Sequence, residues 1–116
     1  MRLDEVILRI KEKFPTAIEV TSPEKINQNG LYLYFDGTSP IDVATDAASF
    51  VLLLAGNTLS AKGGTSVIEE LMRIRKGVFE LGVEFRKSCF KGIRAVVFEG
   101  STLFMYALKL EVEVKI

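Results

Sequence analysis

The last fourteen residues of the chain, LFMYALKLEVEVKI at positions 103–116, constrain the fold more than any other stretch. From Leu108 onward, apolar and charged residues alternate strictly, which indicates a β-strand with one buried face. The apolar series is Leu108, Leu110, Val112, Val114 and Ile116, and the charged series is Lys109, Glu111, Glu113 and Lys115. Such a strand would span roughly 46 Å, whereas a domain of this size has a radius of gyration of about 13 Å. We therefore expect the strand to bend, or to extend past its domain and offer an edge to another subunit.

Two amphipathic helices are predicted elsewhere in the chain. The first has apolar residues at helical spacing and is closed by Pro15: Leu3, Val6, Ile7, Ile10 and Phe14. The second has a continuous apolar stripe: Val67, Leu71, Ile74, Val78 and Leu81. Ser66 and Glu69 predict a capping box at its start, with Thr65 as an alternative cap, and Gly82 predicts its end. Gly77 lies inside the helical pattern, which favours a kink or a close backbone approach at that position.

The remaining apolar segments read as short strands. Residues 17–20 and 30–37 are two of them, and the polar segment 38–46 reads as a mobile connection. Residues 47–55 are apolar on both pleat faces, so this strand is expected at the centre of the sheet. A hairpin turning at residues 99–101 leads into the final strand. The sequence therefore predicts one α+β domain over residues 1–116, with a mostly antiparallel sheet of about five strands and two helices packed on one face.

Composition excludes several classes of function. Fifteen Lys and Arg residues balance fifteen Asp and Glu residues, so no net charge favours nucleic acid or an anionic membrane. The longest apolar run, residues 50–55, is far shorter than the roughly 20 residues of a membrane helix. The single cysteine, Cys89, cannot form an internal disulfide, and the charged amino-terminal residues do not resemble a secretion signal, so we expect assembly inside the cell. The absence of histidine removes the commonest general base and metal ligand.

The glycine-containing stretch LAGNTLSAKGGTSVIEEL, residues 54–71, raises the question of a phosphate-binding loop. That motif requires two glycines at fixed spacing, then lysine and a hydroxyl residue. Counting from Gly56, Ala61 stands at the second glycine position and Gly63 at the hydroxyl position. The stretch is therefore interpreted as a structural crossing from a strand to a helix, and we predict no catalytic, cofactor or metal site. An enzyme that uses Lys62 remains an alternative.

The order of elements and residue types from 45 to 115 resembles the Mu-like Gp37 family of small phage tail-completion proteins. The resemblance lies in FVLLLAGNTLSAKGGTSVIEELMRIRKGVFELG followed by VVFEGSTLFMYALKLEVEV. In that family a strand leads through a glycine-containing loop into a helix, and an aromatic-rich final strand follows. The matching positions are Gly63, Gly64, Ile68, Leu71, Ile74, Glu99, Gly100, Phe104, Tyr106 and Leu108.

The resemblance implies a tail terminator or a related minor tail protein, which is structural rather than enzymatic. Such proteins form a hexameric ring that caps the tail tube and meets the head–tail connector, and they are assembled in the host bacterial cytoplasm into the virion tail. We expect partner contacts at polar positions in the connections and on the last strand: Asp42, Asp46, Asn57, Lys62, Lys109, Glu111 and Glu113. A small ligand-binding or regulatory α+β domain that dimerises through its last strand remains the alternative.

Overall fold

The computed structural model describes residues 1–56, 64–83, 92–96 and 103–116. These residues form two α-helices, one turn of 3-10 helix at Pro23–Lys25, and five strands. The bounds are α1 Leu3–Lys13, β1 Ile18–Val20, β2 Gly30–Pro40, β3 Thr45–Gly56, α2 Gly64–Phe79, β4 Ile93–Val96 and β5 Phe104–Lys115. The strands form one sheet in the order β1-β2-β3-β5-β4. Every neighbouring pair is antiparallel except β1 with β2, so the predicted α+β class is confirmed.

Both helices pack against the same face of the sheet, which we call the covered face. The apolar residues of this face and most of the predicted stripes of both helices are buried in one cluster, with Leu3 and Ile7 of α1 partly buried against it, which confirms the side on which the helices lie. The central members, all almost fully buried, are Val6, Ile10, Phe50, Leu52, Ile74, Val78, Leu108 and Leu110. Burying one such aliphatic side chain stabilises the fold by about 1.5–3 kcal/mol, so this cluster is the main core.

The two helices approach each other closely near Gly77, as its position in the sequence predicted. A Cβ atom at Gly77 would lie 2.8 Å from the nearest ring carbon of Phe14, so only glycine leaves space for that buried ring. At the end of α2, Arg9 of α1 donates hydrogen bonds through Nη1 to the carbonyls of Leu81 and Gly82, at 3.2 and 2.9 Å. Gly82 has a φ of 68°, but α2 already ends at Phe79, three residues before the predicted stop.

The start of α2 differs from the prediction. The helix begins at Gly64, so Ser66 lies inside the first turn and not at the N-cap position that the predicted capping box requires. Serine and glutamate at capping-box spacing also occur within the first turn of a helix, and the sequence does not separate the two positions. The glycine loop before the helix and the turn at 99–101 lie outside the described residues, although β4 and β5 pair as the predicted hairpin.

The segment 38–46, predicted as a mobile connection, is mostly strand. β2 continues to Pro40 and β3 begins at Thr45, and a β-bulge between Phe35 and Gly37 shifts their register. Only residues 41–44 form the turn. The prediction was wrong because this part of β2 is exposed, and an exposed strand can be as polar as a loop.

From its length we expected the final strand either to bend or to extend past the domain. It does neither, because β3 runs beside it along its whole length. All twelve residues of β5 pair with β3, from Phe104 opposite Gly56 to Lys115 opposite Thr45. Since β2 and β3 are about as long as β5, the whole domain is elongated, with extents of 49 × 28 × 25 Å and a radius of gyration of 14.5 Å. The predicted alternation is confirmed from Leu108 to Val114, but Ile116 is exposed rather than buried.

The two outer strands cover only one end of this three-stranded ribbon. β1 pairs with residues 32–34 of β2, and β4 pairs with residues 105–108 of β5. The other end extends beyond them; we call it the arm, comprising residues 35–50 and 109–115. The amino terminus lies beside the arm, where the Lys115 N–H donates to the carbonyl of Met1 at 2.9 Å.

Candidate functional site

The sheet face opposite the helices, which we call the open face, has a much smaller core. Its buried cluster contains Ile26, Tyr32, Leu53, Ala55 and Met105. Neither of the two described α-helices contributes a side chain to it. Tyr32 donates a hydrogen bond from its hydroxyl to the carbonyl of Gln28 at 2.9 Å, which ties the segment before β2 to this face. The open face is therefore where strand side chains are most available to a ligand or partner.

A cavity of about 350 Å³ lies on the open face, across β2, β3, β5 and β4. Its lining is mostly apolar: Pro23, Tyr34, Val51, Leu53, Gly92, Arg94, Ala95, Val96, Ala107 and Lys109. This volume falls within the range of about 300–1,000 Å³ found for ligand pockets. The cavity is thus large enough to receive a small molecule or a few side chains of another chain.

Two cationic side chains share this cavity because of strand register. Arg94 lies directly opposite Ala107, and Lys109 lies two residues farther along β5 on the same face. Diagonal neighbours of this kind have Cα atoms roughly 7–8 Å apart, within reach of one anionic group. Lys109 Nζ lies 3.8 Å from Asp36 Oδ2, whereas no acidic side chain in the described ranges forms an ion pair with Arg94. The cavity therefore combines an apolar floor with a positive rim.

The second exposed feature is the turn at the end of the arm, residues 41–44. The N–H groups of Ile41 and Asp42 both donate to the carbonyl of Thr45, at 2.9 and 3.1 Å. Asp42 Oδ1 accepts the N–H of Ala44 at 2.8 Å, as a turn aspartate commonly does. Val43 is fully exposed and Ile41 is 40% exposed. A hydrogen-bonded turn thus presents two apolar side chains on either side of a carboxylate.

The predicted contact residues fall mostly on the arm. Asp42 lies at its turn and Asp46 at the start of β3, half-buried on the covered face, opposite Val114. The charged residues of the last strand lie on the open face: Lys109, Glu111 and Glu113. Asn57 and Lys62 lie outside the described residues. The structure thus brings Lys109 into the cavity and places Asp42 at the turn.

Sequence reasoning missed the other members of both features. Arg94 and the apolar cavity lining depend on strand register, for which the sequence has no local signal. Val43 and Ile41 could have been noticed as apolar residues in a polar segment. A further apolar stripe lies on the outer side of α2, where Ile68, Met72 and Phe79 are about half-exposed. The guanidinium carbon of Arg75 lies 5.1 Å from the Phe79 ring centroid, a cation–π arrangement.

Few ionisable groups among the described residues have a shifted pKa. Residues 1–56, 64–83, 92–96 and 103–116 contain no group of three or more side chains that could hold a metal ion. The clearest perturbation is an exposed pair on α2, where hydrogen bonding to Arg73 lowers the pKa of Glu70 and raises the pKa of Arg73. An exposed ion pair of this kind contributes little to stability. In the same ranges, no helix is both long and apolar enough to cross a membrane.

The sequence matches no protein-family model, and a search of curated proteins finds no match.

Proposed function

We propose that this chain is a structural phage or prophage tail-assembly protein, a tail terminator that forms a ring of identical subunits. The observation that carries the proposal is the arm, in which three long strands extend past the two short outer strands. A projecting, hydrogen-bonded element can contact a neighbouring subunit without any change in the core of its own domain. The resemblance of residues 45–115 to tail-completion proteins gives this self-assembly a biological setting.

The edge of β2 is poorly suited to strand addition in such a ring. Residues 35–40 lie beyond β1, and no other described strand pairs with their outer side. However, the bulge between Phe35 and Gly37 twists this edge, and Pro40 has no N–H to donate. Both features protect natural edges against pairing with other chains. We therefore expect neighbouring subunits to meet through side chains of the arm and the open face rather than through this edge of β2.

The role of the ring is geometric. Head-to-tail contacts that repeat around a rotation axis close into a ring when the rotation between neighbours is a whole fraction of 360°. Six copies, each rotated by one sixth of a turn, would give the proposed hexamer. The face of the ring toward the tube would bind the tail tube protein. The opposite face would no longer match the tube protein and would instead meet the head–tail connector. The protein would act in the virion tail after assembly in the host bacterial cytoplasm.

Mass measurement in solution tests this proposal. Light scattering after size-exclusion chromatography, over a range of protein concentrations, should show hexamers at high concentration. Electron microscopy of purified tail tubes mixed with the protein should show it at one tube end. A protein that stays monomeric at every concentration and never binds tubes would contradict the proposal.

The cavity favours a second candidate function, binding of a small ligand by a regulatory domain that dimerises through β5. An apolar floor with Arg94 and Lys109 at its edge suits an anion with an apolar body. Thermal unfolding with a panel of aliphatic and aromatic carboxylates tests this candidate. A rise in Tm that disappears in the Arg94→Gln variant would favour it over the ring.

A further inference from the structure

The arm turn and the open-face cavity have complementary chemistry, although they lie at different places on the molecule. The turn presents Ile41 and Val43 with Asp42 between them, and the cavity presents an apolar floor with two cations. We propose that the arm turn of one copy seats in the open-face cavity of the next copy. This inference rests on the proposed ring function and identifies its subunit contact.

The apolar part of the contact is physically favourable. Val43 is fully exposed in a single copy, so its burial against Val51 and Leu53 of a neighbour would remove apolar surface from water. Transfer of a valine-sized side chain is worth a substantial part of the binding free energy of a small interface. Four hydrogen bonds already hold the turn. Three are the bonds within residues 41–45 described above, and in the fourth the Ile116 N–H donates to the Ala44 carbonyl at 2.9 Å. Its ordering cost on binding is therefore low.

The charged part of the contact sets orientation. Asp42 uses Oδ1 to accept the Ala44 N–H, so Oδ2 can accept from a guanidinium without loss of the turn. Arg94 is exposed in a single copy, and none of the described acidic side chains pairs with it. In this contact, Arg94 would donate to the carboxylate of the incoming Asp42, and Lys109, whose charge is partly balanced by Asp36 of its own copy, would lie beside it. Charge-assisted bonds of this type are stronger than neutral ones and favour one register of docking.

A single copy cannot make this contact with itself. The turn follows Pro40 and precedes Thr45, whereas the cavity begins at Val51, six residues farther along the same strand. Six residues of strand correspond to roughly 20 Å, and the strand is paired on both sides. The turn and cavity are therefore the two different halves of a head-to-tail joint, and such joints close into rings or continue as filaments.

Two variants, each defective in one half of the joint, test the inference. Val43→Asp damages the turn but leaves the cavity intact, and Arg94→Asp damages the cavity but leaves the turn intact. Each variant alone should associate at least about tenfold more weakly than the wild-type chain, the loss expected for a contact worth 1.4 kcal/mol or more. An equimolar mixture should form a one-to-one heterodimer, since it contains one intact turn and one intact cavity per pair.

Leu8→Asp is the matched control. It also places a carboxylate at an exposed apolar position, on the outer side of α1 and away from both halves of the joint. It should associate as the wild-type chain does. Circular dichroism and thermal unfolding of all three variants should show intact folds, which separates loss of contact from loss of structure.

Charge exchange provides a second measurement. Asp42→Asn keeps the side-chain oxygen that accepts the Ala44 N–H and removes only the charge, so it should weaken association severalfold. Asp42→Arg also removes the acceptor of the Ala44 N–H, so in combination with Arg94→Asp it should restore only part of the association that Arg94→Asp alone removes. A combined variant no better than Arg94→Asp would contradict the role of this charge pair.

The outcomes separate the inference from the function on which it rests. If the wild-type chain forms rings and Val43→Asp and Arg94→Asp form them equally well, the joint is wrong but the ring function stands. If the wild-type chain neither self-associates nor binds tubes, the ring function fails, and the joint fails with it. If a small carboxylate binds the cavity of the wild-type chain and self-association is unaffected by its presence, the cavity is a ligand site and the joint is overturned.

Discussion

The two faces of the sheet use the same strands for different purposes. In the described part of the chain, nineteen buried residues form the core of the covered face and five form that of the open face. Apolar burial is the dominant stabilising term, so the covered face accounts for most of the stability. The open face has this smaller core and a cavity with a positive rim. The difference shows that stability and recognition can be separated on one sheet, since successive residues of a strand point to opposite faces.

Two neighbouring leucines on β3 provide the largest test of this comparison. Leu52 lies on the covered face and Leu53 on the open face, and both are almost completely buried. Leu52→Ala should lower the free energy of unfolding by about 3–5 kcal/mol, because it leaves a cavity inside the main core. Leu53→Ala should cost about 2–3 kcal/mol, because Leu53 already borders the open-face cavity and has fewer neighbours to lose. Urea unfolding of both variants measures the difference.

Equal losses for the two leucine variants would mean that both faces are packed alike. Such a result would break the division between a stabilising face and a recognising face.

The next effect concerns how closely α1 and α2 approach each other over the covered face. Alanine in place of glycine normally stabilises a helix interior by about 1 kcal/mol. At Gly77 we expect a net loss of about 1–3 kcal/mol instead, because the new methyl group would overlap the buried Phe14 ring. Thermal unfolding of Gly77→Ala checks the sign of the change. In a Phe14→Leu background the shorter side chain should leave room, and the same substitution should cost less or become favourable.

A smaller effect is expected at the polar link between the helices. Arg9 donates to two carbonyls at the end of α2, and its replacement by methionine keeps much of the apolar stem while removing both bonds. We expect a loss of about 1 kcal/mol, a typical value for a partly exposed hydrogen-bonded group. Lys11→Met on the same helix is the control, since its ion pair with Glu19 is exposed on both sides and should contribute less. Denaturant unfolding of both variants would show whether loss of the Arg9 hydrogen bonds lowers the free energy of unfolding more than loss of a positive charge alone does.

The sequence predicted the covered face better than the open face, for a physical reason. The helical stripes, the central position of β3 and the alternation in β5 follow from local periodicity, which records which side of an element is buried. The arm was missed because Thr38, Ser39 and Pro40 are exposed, and an exposed strand has no apolar alternation to reveal it. The cavity was missed because it depends on Arg94 lying opposite Ala107, a pairing between distant segments that local pattern does not specify.

The smallest effect lies on the outer surface of α2, which contacts neither core. Glu70 accepts a hydrogen bond from Arg73 Nε at 3.1 Å, and this bond holds the pKa of the Glu70 carboxyl below its usual value. A carboxyl with a lowered pKa in the folded state stabilises the fold above its unfolded pKa, and this stabilisation is lost as the pH falls through the folded pKa. Since the pair is exposed, Glu70→Gln should cost only about 0.3–0.5 kcal/mol at pH 7, and the cost should vanish in acid.

Thermal unfolding at pH 7 and pH 3, with Glu69→Gln as the control for helix-dipole effects, measures this dependence. A Glu70→Gln loss much larger than that of the control, or one that persists in acid, would mean that the outer side of α2 stabilises the fold through more than this ion pair.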